Sequence, residues 1–213
     1  MSPVRLVLVR HGQTDSNLRK VLDTRPPGAP LDEHGQKQAA VVAQRLAESP
    51  VSAVYASVAT RARQTAAPIA AAHGLAVEVL DDVHEVFVGD LEGRSDVAAR
   101  EEFDRVYDAW WKGDLGAHLP GGESAEEVRE RFVPAVKTIT ADARGDVVLV
   151  SHGAAIRVGA AALLGDTVET QYVPNTGLVI LRADPTAPAG WTLDHWDTAE
   201  RVPGDITAGG TPA

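Results

Sequence analysis

The chain has 213 residues, 44% of them apolar, which suits one domain with a full core. A formal net charge of −10 argues against a nucleic-acid or anionic-membrane partner, since either would want a basic face. The absence of cysteine excludes disulfides, thiolate metal sites and a cysteine nucleophile, and fits a reducing cytoplasm.

Met1 to Leu6 runs straight into an apolar segment and carries no signal-peptide pattern. A strand is predicted over residues 4–9. Residues 32–48 place Ala39, Val42, Ala43 and Leu46 at helical spacing, with Asp32 as N-cap. A second strand covers 51–56. Residues 60–72 are rich in Ala, Arg and Gln and read as a helix, stopped by Gly74. A third strand is expected over 76–80 and a helix over 95–111. Another helix is expected over 123–141, opened by Gly121-Gly122 and kinked or shortened by Pro134. A fourth strand over 146–150 leads into a helix ending at Leu164. Strands over 177–182 and 191–196 close the pattern. The apolar stretch near 158–164 is too short to span a bilayer.

Strands alternating with helices predict an α/β fold, a three-layer sandwich with a mostly parallel sheet flanked by helices. One domain is expected over 1–202, with 94–120 as a lid or insert. The Gly/Pro/Thr-rich tail, 203–213, is expected to be disordered.

One echo stands out. Residues 7–12 read Val-Leu-Val-Arg-His-Gly, and residues 148–153 read Val-Leu-Val-Ser-His-Gly. Continuous β-branched runs suit strands buried on both faces, and open α/β sheets bind ligands beyond the carboxyl ends of such strands. If the two strands are neighbours, His11 and His152 share one pocket with Arg10, and two imidazoles beside a guanidinium suit a phosphate. A neutral imidazole can attack phosphorus without a separate base. Arg10 offers a planar fork for phosphate oxygens. Gly12 would let the backbone approach a ligand. Arg61 starts a helix at the same sheet edge, where anions are favoured; solvated surface arginines are the plain alternative. Transfer from an alkyl ester also needs an acid for the leaving oxygen. Glu85 is a candidate, with Asp81, Asp82 and Glu92 as rivals by chemistry alone.

No His-Glu-x-x-His, Walker loop, Gly-x-Gly-x-x-Gly or Gly-x-Ser-x-Gly motif occurs, so no metal or cofactor is expected. Phe103, Tyr107, Trp110 and Trp111 lie at roughly helical spacing. Such a stripe is usually core; if part of it faces the pocket, the substrate has an apolar or ring-shaped portion.

The ordered set Arg10-His11-Gly12, Asn17, Ser57-x-x-x-Arg61-Ala62-x-x-Thr65-Ala66, Glu85-x-x-x-Gly89-x-x-Glu92-Gly93, Gly121-Gly122-Glu123-Ser124 and Ser151-His152-Gly153 resembles the histidine phosphatase superfamily, in its phosphoglycerate mutase-like branch. The resemblance runs from about residue 4 to about residue 181. It implies a metal-independent cytoplasmic phosphatase acting on small phosphomonoesters through a phosphohistidine. His11 would be the nucleophile, Glu85 the acid and then base, and Arg10, Arg61 and His152 the phosphoryl contacts. Gly12, Gln13, Asn17, Arg94 and Gly153 are further candidate substrate contacts. A phosphoglycerate mutase or a non-catalytic phosphate-binding module are the alternatives. The segment after Glu85, Val86-Phe87-Val88, brings no cation and turns the expectation away from a mutase. The expected partner is a small phosphorylated molecule, and a homodimer is a further expectation.

Overall fold

A computed structural model describes residues 3–200. In chain order it places β1 (Arg5–Arg10), α1 (Asp15–Leu18), α2 (Glu33–Leu46), β2 (Val51–Ser57), α3 (Thr60–Ala72), β3 (Val77–Leu80), α4 (Val97–Trp111), α5 (Ala125–Thr140), β4 (Asp146–Ser151), α6 (Gly153–Leu163), β5 (Leu178–Ala183) and β6 (Trp191–Trp196). A single 3₁₀ turn, Gly89–Leu91, lies between β3 and α4. The tail expected over 203–213 lies outside the described residues.

The six strands form one sheet in the order β3-β2-β4-β1-β5-β6. β3, β2, β4 and β1 pair in parallel, whereas β5 and β6 add antiparallel edges. The two echoed runs are neighbours in matching register. Val7 lies beside Val148, Leu8 beside Leu149 and Val9 beside Val150.

Alternation along these strands builds the two cores. Leu6, Leu8, Val147 and Leu149 pack into one, with α4, α5 and α6. Val7, Val9, Val148 and Val150 pack into the other, with α2 and α3. Helices thus cover both faces, so the chain is an α/β three-layer sandwich. Every residue of β4 is buried, as a central strand requires. The ends of α2 and α5 follow local chemistry. The Asp32 side chain accepts the Gly35 N–H, and Ser124 forms a capping box with Glu127.

The expectation that Pro134 shortens its helix is corrected, because α5 runs through it to Thr140. Proline removes one intrahelical hydrogen bond, while Phe132 and Val136 on either side are fully buried and hold the helix down. The aromatic stripe of α4 divides. Trp110 is buried and donates its indole N–H to the Ala117 carbonyl. Tyr107 and Trp111 gather around the Arg157 guanidinium. Among the described residues no helix is long and apolar enough to cross a membrane.

Candidate active site

The sheet edge at the carboxyl ends of β1 and β4 carries the candidate residues. The His11 N–H donates to the Ser151 carbonyl at 3.0 Å, which extends the β1–β4 ladder by one bond and fixes the first histidine. Gly12 does not serve as the open approach to a ligand that its sequence position suggested. A Cβ there would lie 2.7 Å from the Gly35 carbonyl oxygen, so the glycine lets the loop settle on the start of α2.

The His11 ring is buried and its tautomer is fixed. Nδ1 lies 2.7 Å from the Gly12 carbonyl oxygen, which only accepts, so Nδ1 carries the proton. Nε2 is left with its lone pair, which accepts the Arg61 Nε–H at 3.1 Å. Burial, and then the charges of Arg61 and Arg10, push the imidazole well below its ordinary range. His11 is therefore a neutral imidazole at pH 7, the form a nucleophile needs.

Arg61 organises this centre from the first turn of α3. It is almost fully buried. Its Nη2 donates to the Asp23 carbonyl at 2.9 Å and to His152 Nδ1 at 3.2 Å, and its Nη1 lies 3.7 Å from the Asp23 carboxylate. Nη1 has no hydrogen-bond acceptor. Arg10 reaches the same place from the end of β1. Its Nη1 donates to the Val173 carbonyl at 2.9 Å and to the Tyr172 hydroxyl, while its buried Nε also lacks an acceptor. Arg61 Nη1, beside Asp23, and Arg10 Nε, against Gly153, are buried donors without acceptors, and two guanidinium groups in one cavity lining with the His11 ring suit an anion. A Cβ on Gly153 would sit 3.3 Å from Arg10 Nε, so that glycine packs against the arginine.

His152 is fully buried behind Arg61 rather than on the pocket wall. Its ring stands 5.1 Å from that of His11, centroid to centroid. A guanidinium only donates, so Nδ1 is the acceptor and Nε2–H donates to Ser57 Oγ at 2.8 Å. In this arrangement His152 holds Arg61, and both ring nitrogens are already committed.

Glu85 comes from the loop between β3 and the 3₁₀ turn. Its carboxylate accepts the N–H groups of Val86 at 2.9 Å, Ala155 at 3.0 Å and Ala154 at 3.3 Å. The last two are first-turn donors of α6, a natural seat for a carboxylate. The Gly-Gly-Glu-Ser motif explains how the loop is held. Glu123 bridges the Phe87 N–H and Arg131, and Arg131 in turn donates to the carbonyls of Asp82, His84 and Glu85. A Cβ on Gly122 would lie 2.6 Å from the Phe87 carbonyl oxygen. The rivals separate by position. Asp81 and Asp82 are exposed, and Glu92 pins the Thr24 and Arg25 N–H groups at 2.8 and 3.1 Å.

These groups surround a cavity of about 120 Å³. Arg10, His11, Asn17, Arg61 and Glu85 line it, as expected for a shared site. Gln13 does not; its side chain donates to Asp32 at 3.0 Å. Arg94 does not either. It is exposed and forms a fork on Asp96, the N-cap of α4, because a carboxylate two residues away is the nearest strong acceptor. Sequence reasoning missed Ser16, Asp23 and Thr24 on one wall, and Tyr172 above Arg10. Asp23, Thr24 and Tyr172 sit in loops and Ser16 in the single turn of α1, and none of these carries a periodic signal. Of the α4 stripe, Phe103 alone reaches the cavity wall.

The profile of the histidine phosphatase superfamily (branch 1) matches residues 6–198. The chain belongs to that superfamily. Among curated members, it is 30% identical to the glucosyl-3-phosphoglycerate phosphatase of Mycolicibacterium vanbaalenii over 95% of this chain and 98% of the relative. It is 31% identical to the PE-PGRS family protein PE_PGRS11 of Mycobacterium tuberculosis, over 89% of this chain but only 35% of that longer protein. A solved mycobacterial glucosyl-3-phosphoglycerate phosphatase in complex with VO3 superposes with a TM-score of 0.79 at 29% identity, covering 92% of this chain and 99% of that one. Among the described residues no group of three or more His, Asp or Glu side chains is placed to hold a metal ion.

Proposed function

We propose that the protein is a phosphatase that hydrolyses small phosphomonoesters through a phosphohistidine on His11. The observation that carries this reading is the neutral His11, its Nε2 lone pair on the buried Arg61, in a cavity whose lining also holds the half-buried Arg10. Superfamily membership and the phosphatase names of its relatives support it.

The chemistry follows from the positions. Arg10 and Arg61 take the phosphoryl oxygens and neutralise their charge. His11 Nε2 forms an N–P bond as the ester P–O bond breaks, and Glu85 delivers a proton to the leaving alcohol. Water then attacks phosphorus and gives a proton to Glu85. The N–P bond breaks, phosphate leaves and His11 is restored. No step needs a metal ligand. A mutase must also grip the far anion of its intermediate, and the cavity lining offers only Arg10 and Arg61 as cations.

The test is hydrolysis of p-nitrophenyl phosphate with acid-labile, base-stable phosphate trapped on the quenched enzyme. Turnover with label on His11, unaffected by EDTA and blocked by vanadate, is expected. A His11→Ala enzyme that keeps more than a few per cent of the rate would overturn the reading.

A further inference from the structure

The cavity lining is mixed, and its apolar part bears on what the phosphate is attached to. Ser16, Asn17, Asp23 and Thr24 are polar, whereas Val21, Leu22 and Phe103 are apolar. The lining carries two cations, Arg10 and Arg61, against the Asp23 carboxylate and Glu85, which enters the reaction as the acid. Both cations are committed to the floor. Arg61 is bound to His11, His152 and Asp23, and Arg10 to Tyr172 and Val173. The cations that precede or lie on α4 turn elsewhere, Arg94 to Asp96, Arg100 to the Ser95 carbonyl and Arg105 to Glu102, and the exposed Arg19, Lys20 and Arg25 are not among the lining residues. A phosphate dianion in this lining leaves a net negative charge, within a protein that is itself strongly acidic.

The apolar wall has a fixed flat surface. The Phe103 ring stacks on Tyr107, with centroids 5.5 Å apart and an interplanar angle of 17°. Tyr107 is held in turn by the Arg157 guanidinium, 5.4 Å from its centroid. Phe103 therefore meets a substrate with its rotamer already chosen. Flat apolar groups gain most from such a ring.

We infer that the phosphorylated alcohol carries no second anionic group and lays an apolar ring or flat face against Phe103. This rests on the phosphatase reading above and narrows it. A second anion, such as the carboxylate of 3-phosphoglycerate, would enter beside Asp23 with no further cation in the lining to meet it. Like-charge contacts of this kind are a means of rejecting ligands, and here they would cost roughly ten- to a hundredfold in kcat/KM. An alcohol with an apolar face shields the half-buried Phe103 and Leu22 from water instead.

The test compares benzyl phosphate, 4-carboxybenzyl phosphate and ethyl phosphate on the wild type and on Phe103→Ala. All three have alkyl leaving groups, so differences report binding of the alcohol. On the wild type, benzyl phosphate should exceed each of the others by about tenfold or more in kcat/KM. Phe103→Ala should lower kcat/KM for benzyl phosphate far more than for ethyl phosphate, so that most of the advantage of benzyl over ethyl phosphate is lost. Phe103→Leu serves if the alanine variant does not fold, and should keep part of the advantage. If 4-carboxybenzyl phosphate is the equal of benzyl phosphate, or if the Phe103 variants slow all esters alike, the inference fails and the phosphatase reading stands. If no ester is hydrolysed, p-nitrophenyl phosphate included, that reading itself fails.

Discussion

The Arg61 Nε–H and His11 Nε2 share a hydrogen bond of 3.1 Å, so the lone pair of the proposed nucleophile is held by the arginine proposed to take the phosphate. One lone pair cannot accept that proton and attack phosphorus together. A phosphoryl group gives Arg61 a charged acceptor, which forms stronger hydrogen bonds than a neutral imidazole does. Substrate binding thereby releases the nucleophile.

Arg61→Lys tests this coupling. Lysine keeps the charge but loses the fork that reaches His11, Asp23 and His152 together. The kcat/KM for p-nitrophenyl phosphate should fall by roughly 10²–10³, with weaker inhibition by phosphate. A variant within about threefold of wild type in both measurements would remove Arg61 from the centre.

Acid stability follows from the two histidines. Burial first, and then Arg61, push His152 well below its ordinary range, and His11 is shifted the same way. In the unfolded chain both take up protons near pH 6.5. Below that pH the unfolded state binds more protons, so stability is complete above about pH 6.5 and is lost as pH falls. His152→Gln should make the loss between pH 6 and 5 shallower by up to about 1.4 kcal/mol per pH unit. Urea midpoints measured across that range check it, and an unchanged slope would mean that His152 is charged in the fold.

Glu85→Gln cannot deliver a proton. For alkyl phosphates kcat should drop by about 10²–10⁴, and less for p-nitrophenyl phosphate, whose leaving group needs no proton. Equal losses for both esters would leave Glu85 a structural role only.

Arg131 is not itself among the lining residues, yet it grips three carbonyls of the loop that carries Glu85, the Glu85 carbonyl among them. Arg131→Ala should lower kcat for alkyl phosphates by about tenfold to a hundredfold through misplacement of the acid. The deficit should again shrink with p-nitrophenyl phosphate. Melting measurements separate this from general loss of fold.

Much of the fold was legible because its strands are short and strongly apolar. The echoed Val-Leu-Val runs even foretold neighbours, and they pair residue for residue. The polar centre was legible wherever a residue follows directly from a strand or opens a helix, as with His11 and Arg61. Beyond that, local sequence misled or fell silent. Arg94 looked free until Asp96 was seen to take it. His152 looked like a direct phosphate contact, but it is fully buried with Nδ1 on Arg61 and Nε2 on Ser57. Tyr172 reaches Arg10 from a loop 162 residues away, and no pattern in either segment announces the contact. Phe103 could be assigned to the cavity only once α4 was placed.

The central position of β4 has a consequence for how the chain comes to be active. β1 and β2 are not neighbours; β4, made almost a hundred residues after β2, slides between them. Until it does, both strands expose an open edge, His11 has no Ser151 carbonyl to fix it and Glu85 has no helix end to rest on. The centre is thus completed by long-range pairing, the slow and aggregation-exposed part of folding. Catalytic turnover should be among the last properties to appear on refolding, later than helix content, and a chain stopped before residue 146 should have none.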